Sequence, residues 1–201
     1  MKYVRGFDLK EISIQSSIDR IIKWIIDEDF RGYDPYDALN SDFLNMIPLK
    51  HLKILLTQSL VYSPINFRPI LGIKKEINPK ALGLILRAYC NLFRGEAVEK
   101  DEFVGVVDKI DSLLEESKSK EYSGHCWGFN FPWQDPSRYS PAYVPSVVVT
   151  STIANAYLDL YELTGEKRYL KIAQSSCDFI LNDLNRYENK YGICFSYTPL
   201  D

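Results

Sequence analysis

The sequence predicts an all-α fold of repeated antiparallel helical hairpins, held in a single helical domain over residues 1–201. Three observations predict it. Apolar residues recur at helical spacing along most of the chain. Two stretches echo each other: "AYCNLFRG" at Ala88 to Gly95 answers "AYLDLYELTG" at Ala156 to Gly165, and Phe103, Val106, Val107 and Ile110 then align with Tyr169, Ile172, Ala173 and Ser176. One hairpin is thus used at least twice, with a short turn inside each copy and a long connection between copies. Finally, 46% hydrophobic residues in a chain of 201 are enough for a substantial core.

About six helices are expected. In "SSIDRIIKWIIDED", Ser16 and Asp19 make a capping box, and Ile18, Ile21, Ile22, Ile25 and Ile26 share one face. A second helix runs from about Leu49 to Tyr62. The third opens at Asn78 with Pro79 in its first position and ends at Gly95, with Leu82, Ile85, Leu86, Tyr89 and Phe93 as its stripe. The fourth uses Phe103, Val106, Val107, Ile110 and Leu114. The fifth spans about Thr150 to Leu163 and is closed by "TG"; the sixth runs from Lys167 to about Leu184. The tail "YGICFSYTPLD" alternates instead, as a short strand or an extended rim segment would.

Composition excludes several function classes. The net charge of −3 is spread along the chain with no block of lysines and arginines, so no nucleic-acid partner is expected. Cys90, Cys126, Cys177 and Cys194 form no C-x-x-C pair and read as buried reduced thiols. With only His51 and His125, no metal site and no cofactor are expected. The N-terminal "MKYVRGFDLKEISIQSS" has no apolar export region and no long apolar run follows, which points to a cytoplasmic protein with no membrane span.

If successive helices run antiparallel, the short connections "RGEAVEKD" and "TGEK" share one end, while "SPINFRPILGIKKEI", the aromatic stretch 121–145 and "NRYENKYGICFSY" share the other. That distribution describes a scaffold with one decorated, loop-rich rim. Strict alternation places "GYDPYDALN" at the plain end. Its connection of about 20 residues can extend about 66 Å, against about 21 Å for a 14-residue helix, so it can cross to the decorated rim.

The hairpin "STIANAYLDLYELTGEKRYLKIAQSSCDFILNDL" resembles the repeating unit of the six-hairpin, (α/α)-toroid superfamily of carbohydrate-active proteins. More narrowly, "GYDPYDALNS", "SPINFRPILGIKK", "CWGFNFPWQ" and "FSYTPLD" are similar to an uncharacterised family often found with surface-polysaccharide biosynthesis genes. The resemblance covers nearly the whole chain and implies a ring of inner and outer helices whose loop-rich face holds a sugar. The hairpin pattern alone is also shown by tetratricopeptide-like arrays. A complete ring needs twice the helices found here, so the chain is expected to be about half of one. Either it is the N-terminal half of a larger toroid, or a homo-oligomer covers the open edge.

The aromatic stretch "EYSGHCWGFNFPWQDPSRYSPAYVP" supplies the candidate sugar platform. Trp127 and Trp133 offer flat faces to a pyranose, and His125, Asn130, Gln134 and Asp135 offer hydrogen bonds to its hydroxyls; the alternative is that the rings pack beneath the loop. His125 titrates near neutrality and suits general acid or base work, whereas His51, at a helix start, caps or packs. Asp34 and Asp37 in "GYDPYD" are three apart in a turn stiffened by Pro35, within reach of the carboxylate spacing glycoside hydrolysis needs; the alternative is that both satisfy loop amides. Arg68 in "NFRP" suits a carboxylate or phosphate on an acidic or nucleotide sugar, or else pins its loop.

These readings combine into a carbohydrate- or glycan-precursor-binding protein, with a sugar-modifying activity (hydrolysis, elimination or epimerisation) as its enzymatic form. The other class is a non-catalytic helical-repeat module whose aromatics anchor a protein partner.

Overall fold

The structure is a computed structural model that describes residues 14–201. The export-signal reading of the N-terminus rested largely on residues 1–13, which lie outside the described residues. In chain order the elements are α1 (Ile14–Asp27), a 3-10 turn (Asp37–Asn40), α2 (Asp42–Asn45), α3 (Lys50–Tyr62), α4 (Pro79–Arg94) and α5 (Lys100–Glu116). There follow β1 (Trp133–Gln134), β2 (Tyr139–Ser140), α6 (Val147–Thr164), α7 (Lys167–Asn182), β3 (Arg186–Asn189) and β4 (Gly192–Phe195). The chain is mostly helical, and every helix expected from periodicity is present.

Local chemistry sets the helix ends. Asn78 caps α4 by accepting from the amides of Lys80 and Ala81, with Pro79 at the first position. Ser146 caps α6 through the amide of Val149, which starts that helix three residues before the expected Thr150. Gly165 closes α6 at φ 71°, a left-handed conformation that glycine adopts without strain. The capping box at Ser16 is corrected: α1 already includes Ile14, and Asp19 accepts a hydrogen bond from the side chain of Gln15 at 2.8 Å within the helix.

The helical expectation holds in its coarser form, and short strands accompany the helices. Two short antiparallel ribbons are present, β1 with β2 and β3 with β4, the second pairing Arg186 with Phe195 through Asn189 with Gly192. The alternating tail contributes β4, because its partner strand lies just across a two-residue turn.

α4 packs on α5, α6 on α7, and α4 on α6. Progress along α4 from Gly83 beside Ile153, to Arg87 on Asp159 at 2.8 Å, to Arg94 on Glu162 at 3.2 Å follows progress along α6, so α4 and α6 run parallel. A β-carbon on Gly83 would sit 3.0 Å from the Ile153 side chain; the missing side chain is what lets the two helices cross so closely. Leu82, Leu86, Ile110, Leu114, Ile153 and Leu160 form the centre of the main core. A smaller cluster of Ala38, Leu39, Leu44, Leu60 and Ile73 holds the 3-10 turn, α2 and α3 to the loop that follows α3. α1 lies on the surface, with Ile22 reaching the main core while Ile21, Trp24 and Ile26 face outward.

Candidate functional site

Because α4 and α6 are parallel, their N-termini lie at one end, opposite the turns at Gly95 and Gly165. The long connections meet at that end and enclose a groove of about 590 Å³. Phe129, Phe131 and Trp133, at alternate positions, supply its aromatic wall. Phe129 and Phe131 stack at 5.2 Å between centroids. Tyr36 meets Trp133 edge-on at 5.2 Å, so the "GYDPYD" connection does reach the aromatic stretch. Tyr197 and Thr198 close the groove from the tail, while Asp34, Asn78, Lys80 and Arg138 provide its polar positions. A second chamber of about 240 Å³ adjoins it, sharing Asp34, Asn78 and Ala81 and adding Glu76 and Asn130.

Asp34 is the carboxylate common to both spaces. Its Oδ1 accepts from the amide of Tyr36 and its Oδ2 from the side chain of Asn78, each at 2.9 Å. Burial pushes this carboxyl above its ordinary range, and those two donors, with Arg68 and Lys80, offset part of the rise.

Asp37 does not join it as a second reacting group. Its side chain is 3% exposed and its Oδ1 accepts from Arg68 Nε at 2.7 Å. The other oxygen accepts from the amide of Asp34 at 3.1 Å. Burial raises the Asp37 carboxyl, against the opposing pull of the guanidinium. Arg68 also donates through Nη2 to the carbonyls of Asp34 and Pro35 at 2.9 and 3.1 Å. Arg68 and Asp37 therefore form a clamp that fixes the turn carrying Asp34, with Nε and Nη2 of the guanidinium engaged within the protein, and Arg68 lines neither space.

Trp127 is corrected as well. It is 1% exposed, packs in the main core, and donates Nε1 to the carbonyl of Leu114 at 2.7 Å. Its neighbour Gly128 explains the inward course: a β-carbon there would stand 2.1 Å from the carbonyl oxygen of Val144, so only glycine permits this close bridge with the segment at Pro145. Trp133 is the tryptophan that faces the groove.

His125 does not line either space. It sits half-buried against α7, where its amide donates to Ser175 Oγ at 3.0 Å and Nδ1 lies 2.9 Å from the same oxygen. Burial, reinforced by nearby Lys118, pushes the imidazole below its ordinary 6.5. The neutral ring is favoured in the folded chain, so the stability it confers is complete above 6.5 and is lost as pH falls below that value. Urea unfolding on either side of that pH is expected to show a steeper acid loss for the native chain than for His125→Gln.

Gln134 uses its amide to donate to the carbonyls of Asp135 and Arg138 at 2.8 and 2.9 Å, closing the β1–β2 turn. Asp135 accepts from the amides of Ser137 and Arg138 in the same turn, at 2.7 and 2.8 Å. Asn130, 6% exposed, donates to Glu76 Oε2 at 3.2 Å, and its Oδ1 has no hydrogen-bond partner among the described residues. Arg138 is held by Asp201 and touches Thr198 at 3.5 Å, tying the tail to the groove. His51 is exposed in the first turn of α3.

Of the expected residues, the groove unites Asp34 and Trp133, and its side chamber adds Asn130. The sequence signal for the missed rings was the alternation Phe129, Phe131, Trp133, which places three aromatics on one side of the segment. Lys80 and Arg138 carried no such signal. Among the described residues, no group of three or more His, Cys, Asp or Glu side chains is placed to hold a metal ion, and no helix is long and apolar enough to cross a membrane. No protein-family model, curated protein or solved structure matches the chain.

Proposed function

We propose that the chain binds a carbohydrate or glycan precursor in the aromatic groove, and that α4–α5 and α6–α7 are two hairpins of a toroid-like array whose loop-rich face carries it. The observation that supports the function is the joining of Phe129, Phe131, Trp133 and Tyr36 with Asp34, Asn78 and Lys80 around one space of about 590 Å³. Apolar faces with a few placed polar groups are what a pyranose, with its C–H faces and hydroxyl rim, requires. The parallel packing of α4 and α6, each with its own following helix, supports the array.

A catalytic form of this reading rests on Asp34 alone among the three residues first considered, as the proton donor whose carboxyl burial favours in its neutral form. The residence in surface-polysaccharide metabolism and the cytoplasm belongs to the same proposal. A second reading, a protein-interaction module, is favoured by a different surface, where Phe43, Met46, Leu49 and Leu55 are exposed along α2 and α3.

Calorimetric titration with neutral, amino and acidic oligosaccharides tests the first reading. Saturable binding to one class is expected, weakened about tenfold or more by Trp133→Ala, as removal of a central aromatic contact does. Silence across the panel from folded protein, or binding indifferent to Trp133, counts against the sugar site and for the interaction module.

A further inference from the structure

Lys80 is the second residue of α4, where the helix dipole puts positive charge and a lysine is disfavoured. None of the lysine ion pairs among the described residues involves it. Its ammonium lies 5.8 Å from the centroid of Phe129, one of the groove's walls. The surroundings share its sign. Ser146, the cap of the parallel helix α6, lines the same groove, so two helices of 16 and 18 residues direct their N-termini toward it. Arg138 adds a second cationic side chain, and Asp34 is the one carboxylate among the described residues that line the groove. Arg138 is already occupied by Asp201 and Asp135, so the groove's cation without a salt bridge is Lys80, whose charge acts on Asp34 only across a distance.

An ammonium with no salt bridge, beside two positive helix ends that Asp34 only partly offsets, is placed at an electrostatic cost that an anion in the groove would reduce. We propose that the ligand of the groove bears an anionic group on its sugar, a carboxylate or a phosphate, and that Lys80 pairs with it. This inference rests on the reading of the groove as a sugar site. Lys80 acts in it as a specificity residue: the aromatic wall recognises the ring, and the ammonium selects the charged sugar over its neutral counterpart.

The test is calorimetric titration with three probes, an oligouronate, the corresponding neutral oligosaccharide and a nucleoside-diphosphate sugar, against the native chain, Lys80→Met, Lys80→Arg and Trp133→Ala. The methionine keeps the apolar stem and removes the charge. An anionic probe is expected to bind about tenfold or more tightly than the neutral one, the gain of one charge-assisted hydrogen bond. Lys80→Met abolishes that preference, bringing the anionic probe down to the affinity of the neutral one, and Lys80→Arg restores it. Added salt weakens the anionic probe selectively. The oligouronate binding better assigns a carboxylate, and the nucleotide sugar binding better assigns a phosphate. Equal affinity for charged and neutral probes, or a preference that survives Lys80→Met, overturns the inference and leaves the sugar groove standing. Failure of every probe, or binding untouched by Trp133→Ala, overturns the groove reading and this inference with it.

Discussion

Trp127→Ala is expected to lower the unfolding free energy by about 3–5 kcal/mol, the usual loss when a large buried aromatic is truncated. The ring is 1% exposed and packs 6.4 Å from that of Tyr157 at the centre of the main core. Truncation also leaves the Leu114 carbonyl, which accepts from the indole at 2.7 Å, without that donor in a buried setting. Trp127→Phe separates the two contributions, since it keeps most of the apolar volume and removes only the donor. Urea unfolding measures both, and a loss below about 1 kcal/mol for the alanine variant would contradict the core assignment. Trp133→Ala, by contrast, is expected to alter binding and leave the unfolding midpoint nearly unchanged.

Arg68→Met is the second large effect, again about 3–5 kcal/mol, because it strands the Asp37 carboxylate in a site where that side chain is 3% exposed. The sign of its pH dependence is fixed by the same geometry. Burial raises the Asp37 carboxyl and Arg68 opposes the rise, so removal of the guanidinium raises it further. A folded-state carboxyl held above its unfolded value binds its proton more tightly in the fold, so the variant recovers stability as pH falls through that raised value. Asp37→Asn introduced into Arg68→Met is expected to return much of the loss at neutral pH, since no charge is then left unpaired. Equal stability of the single and double variants would show that the clamp is a solvated contact.

The helices were legible because each carries its own periodicity and several carry their own caps, such as Asn78 with Pro79 and the glycine at 165. The fate of the two loop tryptophans was not legible, since both occupy the same kind of sequence and only the backbone pairing of Gly128 with Pro145 turns Trp127 inward. The roles of the paired aspartates were hidden for a similar reason. Asp34 and Asp37 look equivalent in "GYDPYD", yet Arg68, 31 positions beyond Asp37, takes one and leaves the other facing the groove. His125 stands two residues from Trp127, but the close approach of Gly124 to the α7 backbone carries it toward Ser175 instead. Sequence proximity located the loops that meet around the groove; contacts between distant segments decided which of their side chains reached a common space.

The anchoring of Trp127 has a kinetic consequence. Its amide donates to Thr150 Oγ1 at 3.1 Å and its carbonyl accepts from Ser146 at 3.1 Å, so the start of the aromatic segment is fastened to the first turn of α6 as well as to α5. A segment fastened at this depth opens only when the core opens, and its amides are expected to exchange with deuterium alongside those of α4 and α6 rather than at loop rates. In the proposed sugar site the aromatic wall would then stand assembled between encounters, and the ligand would meet a surface that has already lost the conformational freedom other loops surrender on binding.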